Sequence, residues 1–162
     1  MVDTKSLASL LAEHPLFEGF DPDTMAFIGG CATNHHFPID SFLFHADAPA
    51  ETFYLLREGD VALQLEMPGR RRLVVQSIHP GQIAGASWIL PPYRWRFDAR
   101  AVSAVRAIGI DAACLRDKCD DNPGLGYRLF KRFLPVVADR LLAARMQLMD
   151  LYAPPAEIGT TL

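Results

Sequence analysis

The hydrophobic residues of this chain change period twice, and that double switch restricts the fold more than any single motif. From about Thr33 to Ala113 the apolar residues recur every second position. Val61, Leu63, Leu65 and Met67 alternate with Ala62, Gln64 and Glu66, as a half-buried β-strand requires, because successive strand side chains point to opposite faces. Pro68-Gly69 then turns the chain back into Leu73, Val74, Val75 and Ile78, which predicts a hairpin. Phe42-Leu43-Phe44, Phe53-Tyr54-Leu55-Leu56 and the run from Ala104 to Ile110 supply further strands. Gly, Pro and Asp punctuate them at intervals of roughly 8 to 12 residues, the rhythm of an antiparallel sandwich or barrel.

On either side of this β zone the period is helical. Leu7, Leu10 and Leu11, then Met25, Phe27 and Ile28, are separated by breaks at Pro15 and Gly19 to Pro22, which predicts two short helices. Asp21 before Pro22 has the chemistry of an N-cap followed by a first helical residue. After Asn122-Pro123, Phe130, Leu134, Val137, Leu141, Ala144, Leu148 and Leu151 advance by steps of four and three, a heptad seam. Leu142, Met146 and Met149 add a second apolar row. Pro135 within this pattern is expected to kink the helix or divide it into a short and a long one, since proline has no N–H to give the preceding turn. The seam has two uses open to it: packing on the β body, or pairing with the same helix of a second chain. The body can cover only part of so long a helix, so a homodimer through Val137, Leu141, Ala144, Leu148 and Leu151 is the expectation.

Composition narrows the function classes. Of 162 residues, half are apolar and 22% charged, enough apolar material for a real core. A net charge of −3 gives no global attraction to nucleic acid, and Arg70-Arg71-Arg72 directly after a turn reads as a solvated hairpin tip. No run approaches the length of a membrane span, and the amino-terminal stretch carries an acid at Asp3 and reads as an amphipathic helix, not a signal peptide. Cys31, Cys114 and Cys119 are an odd set whose spacing suits neither zinc nor an iron-sulfur cluster; free thiols in a reducing cytoplasm are expected. His35 and His36 are neighbours on one strand and so face opposite ways, and His45 follows on the next; they make a poor metal set for a cupin-like enzyme, which is kept only as a minor alternative. His14 and His79 stand beside prolines at element ends and read as structural. No Ser-His-Asp or Cys-His grouping is visible, so no catalytic residue, no metal ligand and no enzymatic activity are expected.

Three segments carry a resemblance. "FYLLREGDVAL", "HPGQIAG" and "ARAVSAVRAIGID" resemble the strand-turn-strand, glycine turn and late strand of cyclic-nucleotide-binding domains, above all the effector domain of the catabolite activator and fumarate-nitrate regulator family. The resemblance extends from about Leu7 to Tyr152. It implies a mainly β fold: a double-stranded β-helix jelly roll with flanking helices and a long C-terminal helix. In that family a cassette of glycine, glutamate, short helix and arginine holds the nucleotide. Backbone N–H groups and the arginine fork meet the phosphate, and the glutamate accepts from the ribose hydroxyl.

Mapped onto this chain, Gly81 resembles the turn glycine and Gly85 the glycine before the cassette helix. The glutamate position is Ala86, which cannot accept a hydrogen bond through its side chain; Ser87 is a weak substitute. Without gaps the arginine position falls on Trp95, between Arg94 and Arg96. On that register Trp95, Phe97, Ala99 and Ala101 face inwards, and Arg94, Arg96, Asp98 and Arg100 outwards. Two readings stay open. Either Arg94 or Arg96 meets an anionic group while Trp88 or Trp95 stacks on a flat one, making residues 85–88 and 94–96 a ligand site, or the indoles fill the interior and the arginines lie on the surface.

The expected organisation is one domain over 1–152, with helices in 1–32, a jelly roll in 33–113 and helices in 114–152, followed by a loose tail over 153–162. The expected role is a cytoplasmic, stand-alone regulatory or sensor domain that binds a small anionic ligand, cyclic AMP or cyclic GMP first, and signals through its long helix. It would need no cofactor, would act on a partner protein or second subunit, and would not read DNA directly, because no basic recognition helix follows the long one. The alternative is a dimeric interaction module with an aromatic-filled pocket.

Overall fold

The structure is a computed structural model that describes residues 6–153. The first five residues of the expected amino-terminal helix, and the tail beyond Ala153, lie outside the described residues.

Helix α1 (Leu7–Glu13) starts where the Ser6 hydroxyl accepts the Ser9 N–H at 3.2 Å. It ends at His14, whose Nδ1 accepts the Leu16 N–H at 3.2 Å and so opens a 3-10 turn over Pro15–Phe17. Helix α2 (Pro22–Gly29) begins as the sequence predicts. The Asp21 carboxylate accepts the Thr24 N–H at 3.0 Å and the Thr24 hydroxyl at 2.6 Å. Met25 and Ile28 enter the core, but Phe27 faces outwards with the Lys118 ammonium 4.1 Å from its ring centre.

Eight strands follow: β1 (Ala32–Phe37), β2 (Phe42–Phe44), β3 (Thr52–Glu58), β4 (Val61–Leu65), β5 (Leu73–Ile78), β6 (Ile83–Ala84), β7 (Asp98–Ala101) and β8 (Val105–Asp111). They form two antiparallel four-stranded sheets, ordered β1-β8-β3-β6 and β2-β7-β4-β5, the two faces of a jelly roll. The predicted hairpin is β4 and β5, joined through an exposed loop containing Pro68-Gly69 and Arg70 to Arg72. Strand β4 departs from the half-buried expectation, since Val61, Ala62, Leu63 and Gln64 are all buried. It is an inner strand, flanked by β5 and β7, and on its polar side the Arg100 Nε–H donates to Gln64 Oε1 at 3.2 Å. This charged donor satisfies the oxygen of an amide that alternation alone would expose, while Gln64 Nε2 has no hydrogen-bond partner among the described residues.

Helix α3 (Ala112–Asp121) is capped by Asp111, and α4 (Pro123–Tyr152) by Asn122. Between them the two sheets close on one continuous core, in which Phe53 stacks on Trp88 at 4.6 Å and meets Phe133 of α4 edge-on at 5.5 Å.

Two expectations are corrected here. Cys31 and Cys114 are not free thiols. They form a disulfide between the start of β1 and the first turn of α3, leaving Cys119 as the free cysteine. Their separation of 83 residues hid the pair, and the bond removes the cysteine-based reason for assigning a reducing compartment. Pro135 does not divide the C-terminal helix either, because α4 runs through it as one 30-residue element. Pro135 is exposed, so the Lys131 carbonyl that its missing N–H deprives can turn to water. The proline nevertheless marks a change in burial. Leu125, Leu129 and Phe133 precede it in the core, and no residue of α4 beyond it is fully buried.

Candidate functional site

The turn into β6 and the start of the segment between β6 and β7 both depend on glycine for their backbone. Gly81 has φ +84° and Gly85 φ +101°, both in the region that L side chains avoid. At Gly85 there is also no room, since a Cβ would lie 2.5 Å from the Trp95 ring and 3.4 Å from Phe53. The two residues are therefore matched: the indole occupies the space that the absent side chain leaves. Trp95 is 3% exposed and stacks on Phe44 at 4.1 Å, with its backbone N–H bonded to the Ala48 carbonyl at 3.0 Å.

After Gly85 the chain makes only a single 3-10 turn, Ser87–Ile89, whose N-cap Ala86 has no side-chain hydrogen bond. Trp88 enters the core at 1% exposure, between Phe53 and Phe133, and its indole N–H is left without a partner. Its carbonyl accepts a 2.7 Å bond from Arg116 of α3. The expectation that Trp88 could stack on a ligand beside the cassette is thus corrected: it cements the jelly roll to α3 and α4, away from the main cavity. Arg94 is corrected in the same way. Its guanidinium donates to the Asp47 carbonyl at 2.7 Å and its side chain stays on the outer surface, where the inward-outward alternation puts it. Trp95, Ala99 and Ala101 do point inwards, and Phe97 is half-buried.

What Gly85, Ala86, Ser87, Trp95 and Arg96 share is a cavity of about 780 Å³ between the second sheet and α4. Phe44, Leu63, Trp95 and Phe97 line its sheet side, while Val137, Leu141, Ala144, Leu148 and Leu151 line its helix side. The seam read from the sequence is therefore one wall of this cavity, and it is not sealed by the body. Val137 is 37% exposed, Leu141 52% and Leu148 54%. Arg96 lies exposed at the rim, with no hydrogen bond or ion pair among the described residues.

One residue of the site escaped the sequence reading. Arg140, on the body-facing side of α4, donates to the Ile83 carbonyl next to the cassette turn. It borders both this cavity and a second one of about 670 Å³, which His14, Gln82, Lys131 and Asp139 help to line. Burial lowers its pKa from the ordinary arginine value, and among the described residues no carboxylate pairs with it. A signal for it existed. Phe133, Val136, Arg140, Ala143 and Gln147 are one row of the helix, and an arginine in the row that begins in the core calls for an explanation.

Among the described residues no group of three His, Cys, Asp or Glu side chains could hold a metal ion. His14 is buried, and desolvation pushes its pKa down, with the backbone of Gln82 pulling the other way. His79 Nδ1 lies 2.7 Å from the Asp60 carboxylate. No helix is long and apolar enough to cross a membrane among the described residues.

The jelly-roll order, the two positive-φ glycines and the closing helix agree with a comparison to known families. The profile of the Cyclic nucleotide-binding domain matches residues 34–122, more than half of the chain. The chain belongs to this family. Its curated relatives include a CRP-like cAMP-activated global transcriptional regulator of Mycobacterium tuberculosis, 25% identical over 142 residues. That match covers 88% of this chain and 62% of the regulator, so the chain spans about three fifths of its relative's length. Among solved structures, one from Geobacter metallireducens GS-15, named only provisionally as a cyclic nucleotide-binding protein, superposes with a TM-score of 0.74. It is 30% identical and covers 82% of this chain and 96% of its own. The Thermus thermophilus Catabolite Activator Protein shares the fold at a TM-score of 0.68 and 20% identity, over 85% of this chain and 63% of its own. As a member of the cyclic nucleotide-binding domain family, this chain carries in the cassette segment two glycines at positive φ, Gly81 and Gly85, and a single 3-10 turn over Ser87–Ile89. It lacks the polar side chains expected of that cassette: Ala86 offers no acceptor for a ribose hydroxyl, and Trp95 fills the place expected for the phosphate-binding arginine.

Proposed function

We propose that this regulatory domain senses a small anionic ligand in the cavity between the jelly roll and α4 and transmits its presence through that helix. The observation that carries the reading is that α4 is itself a wall of the cavity. Val137, Leu141, Ala144 and Leu148 face it, and Arg140 ties the helix to the cassette turn at Ile83. A ligand that touches both walls has different contacts for different helix positions, which is the condition for shifting a conformational equilibrium. The role is non-catalytic. The output passes to a partner protein or a second subunit, and the open seam of α4 supports pairing with a second copy of the chain.

Cyclic AMP and cyclic GMP are the first ligands to try, given the family. Trp95 lines the cavity and supplies an intrinsic fluorescent reporter. Saturable quenching or calorimetric heat at submillimolar nucleotide is the expected outcome of a working cassette. Silence at millimolar concentration removes both nucleotides as ligands. A second reading is a binding-silent interaction module, and the depth of Trp95 in the core favours it, because this indole occupies space beside Gly85 that a ligand would need.

A further inference from the structure

The walls of the cavity under α4 specify a ligand chemistry unlike that of a sugar phosphate. Its sheet side is Phe44, Leu63, Trp95 and Phe97, its helix side the leucine seam, and no Asp or Glu lines it. The charged groups at its edge are Arg96 and Arg140, and among the described residues neither has a carboxylate partner. Arg140 is the more telling. It is a partly buried guanidinium that donates to the neutral Ile83 carbonyl, so among the described residues part of its charge is desolvated without compensation. A buried, uncompensated charge is costly, and an anion delivered to it recovers that cost. The space beside it is apolar over most of its wall, and at about 780 Å³ it is the size of a drug-like pocket. The Ala86 side chain, by contrast, cannot accept a sugar hydroxyl, which leaves that role to the neutral side chains of Gln76, Ser77, Ser87 and Gln147 in the lining.

From this we infer that the ligand is an amphipathic carboxylate: a compound with one acid group for Arg140 and Arg96 and an apolar body that lies between Trp95 and the seam of α4. The inference rests on the reading that the cavity is a ligand site sensed through α4, and it specifies what enters. The fork of a guanidinium meets a carboxylate through two parallel N–H···O bonds. In taking up that geometry Arg140 exchanges its bond to Ile83 for a bond to the ligand, so recognition and release of the helix tether become the same event.

The test is calorimetry on the full chain with decanoate and naphthoate, next to their uncharged counterparts decanol and naphthalenemethanol. At least one acid is expected to bind saturably at one per chain, and its alcohol at least about tenfold more weakly, the loss of one charge-assisted hydrogen bond. Ala144→Trp, which fills the helix side of the cavity, should abolish binding. Arg140→Met should weaken the acid at least about tenfold and leave the alcohol unchanged, with Arg140→Lys between the two. Thermal melts of each variant separate lost binding from lost folding. Acid binding that ignores both Ala144→Trp and Arg140→Met is adsorption to the exposed seam and overturns the proposal. Failure of both acids, while a cyclic nucleotide binds and Ala144→Trp blocks it, overturns the ligand class and leaves the cavity as the sensing site. Failure of acids and nucleotides alike overturns both.

Discussion

Gly85 and Trp95 act as one unit: a backbone angle that only glycine tolerates and an indole that fills the space of the missing side chain. Gly85→Ala should cost about 2–4 kcal/mol, from a strained φ together with an overpacked ring. Gly69 at the hairpin tip is the control, since it also has positive φ but nothing within 4 Å of its Cβ position; Gly69→Ala should cost about 1 kcal/mol. Equal shifts in thermal or urea melts would show that packing against Trp95 contributes nothing. His14 gives a pH signature. Its folded pKa lies below its ordinary value of 6.5, because burial disfavours the charged ring. The unfolded chain therefore binds the proton more readily, so this contribution to stability is complete above pH 6.5 and declines as the pH falls below it. Urea midpoints should drop across that window and drop less in His14→Gln. Desolvation lowers His35 in the same direction, which leaves a residual slope. A His14→Gln variant with the full wild-type slope would mean that His14 does not titrate differently on folding. At this scale the sequence was legible where chemistry is local. Asp21-Pro22 announced its cap, and Ala86 announced the missing acceptor. Trp88 and Trp95 were not separable, because the six residues between them belong to no strand and carry no face alternation to count along.

Strands and helices were legible as periods, and their partners were not. The alternation from Val61 to Met67 marks β4, but it cannot say that the strand lies between β5 and β7 and so buries Gln64 as well. The Cys31–Cys114 bond is the clearest case, as it joins elements that lie 83 residues apart and touch only after the jelly roll has closed. It staples the head of β1 to α3, which Arg116 also holds through Trp88 and Lys118 through the Phe27 carbonyl. Closing so long a loop in the unfolded chain predicts a loss of about 2–4 kcal/mol in a Cys31→Ala, Cys114→Ala double variant, read by denaturant unfolding. Thiol labelling of the unfolded but unreduced protein should count one reactive cysteine, Cys119; three would show that the staple does not form.

For the whole molecule, the double change of period led to an antiparallel β body between helices and the resemblance to cyclic-nucleotide-binding domains to a jelly roll, and the family and structural comparisons agree with it. The heptad seam led to the expectation of a dimer, and Leu141 and Leu148 are 52% and 54% exposed. Leu141→Glu with Leu148→Glu should lower the mass in solution to that of one chain, by light scattering; an unchanged dimer would place the interface elsewhere. The row Phe133, Val136, Arg140 marks Arg140 as unusual, but only the docking of α4 on the cassette turn shows that it stands between two cavities. The distribution of burial along α4 also has a mechanical meaning. Up to Phe133 the helix is a stub set in the core; beyond Pro135 it is an arm of 17 residues, about 25 Å long, held to the body through Arg140 near its base. A tilt of about 10° at the proline displaces the far end by about 4 Å and Arg140, about 7.5 Å along the arm, by about 1.3 Å, so a change at Arg140 reaches the tip about threefold enlarged.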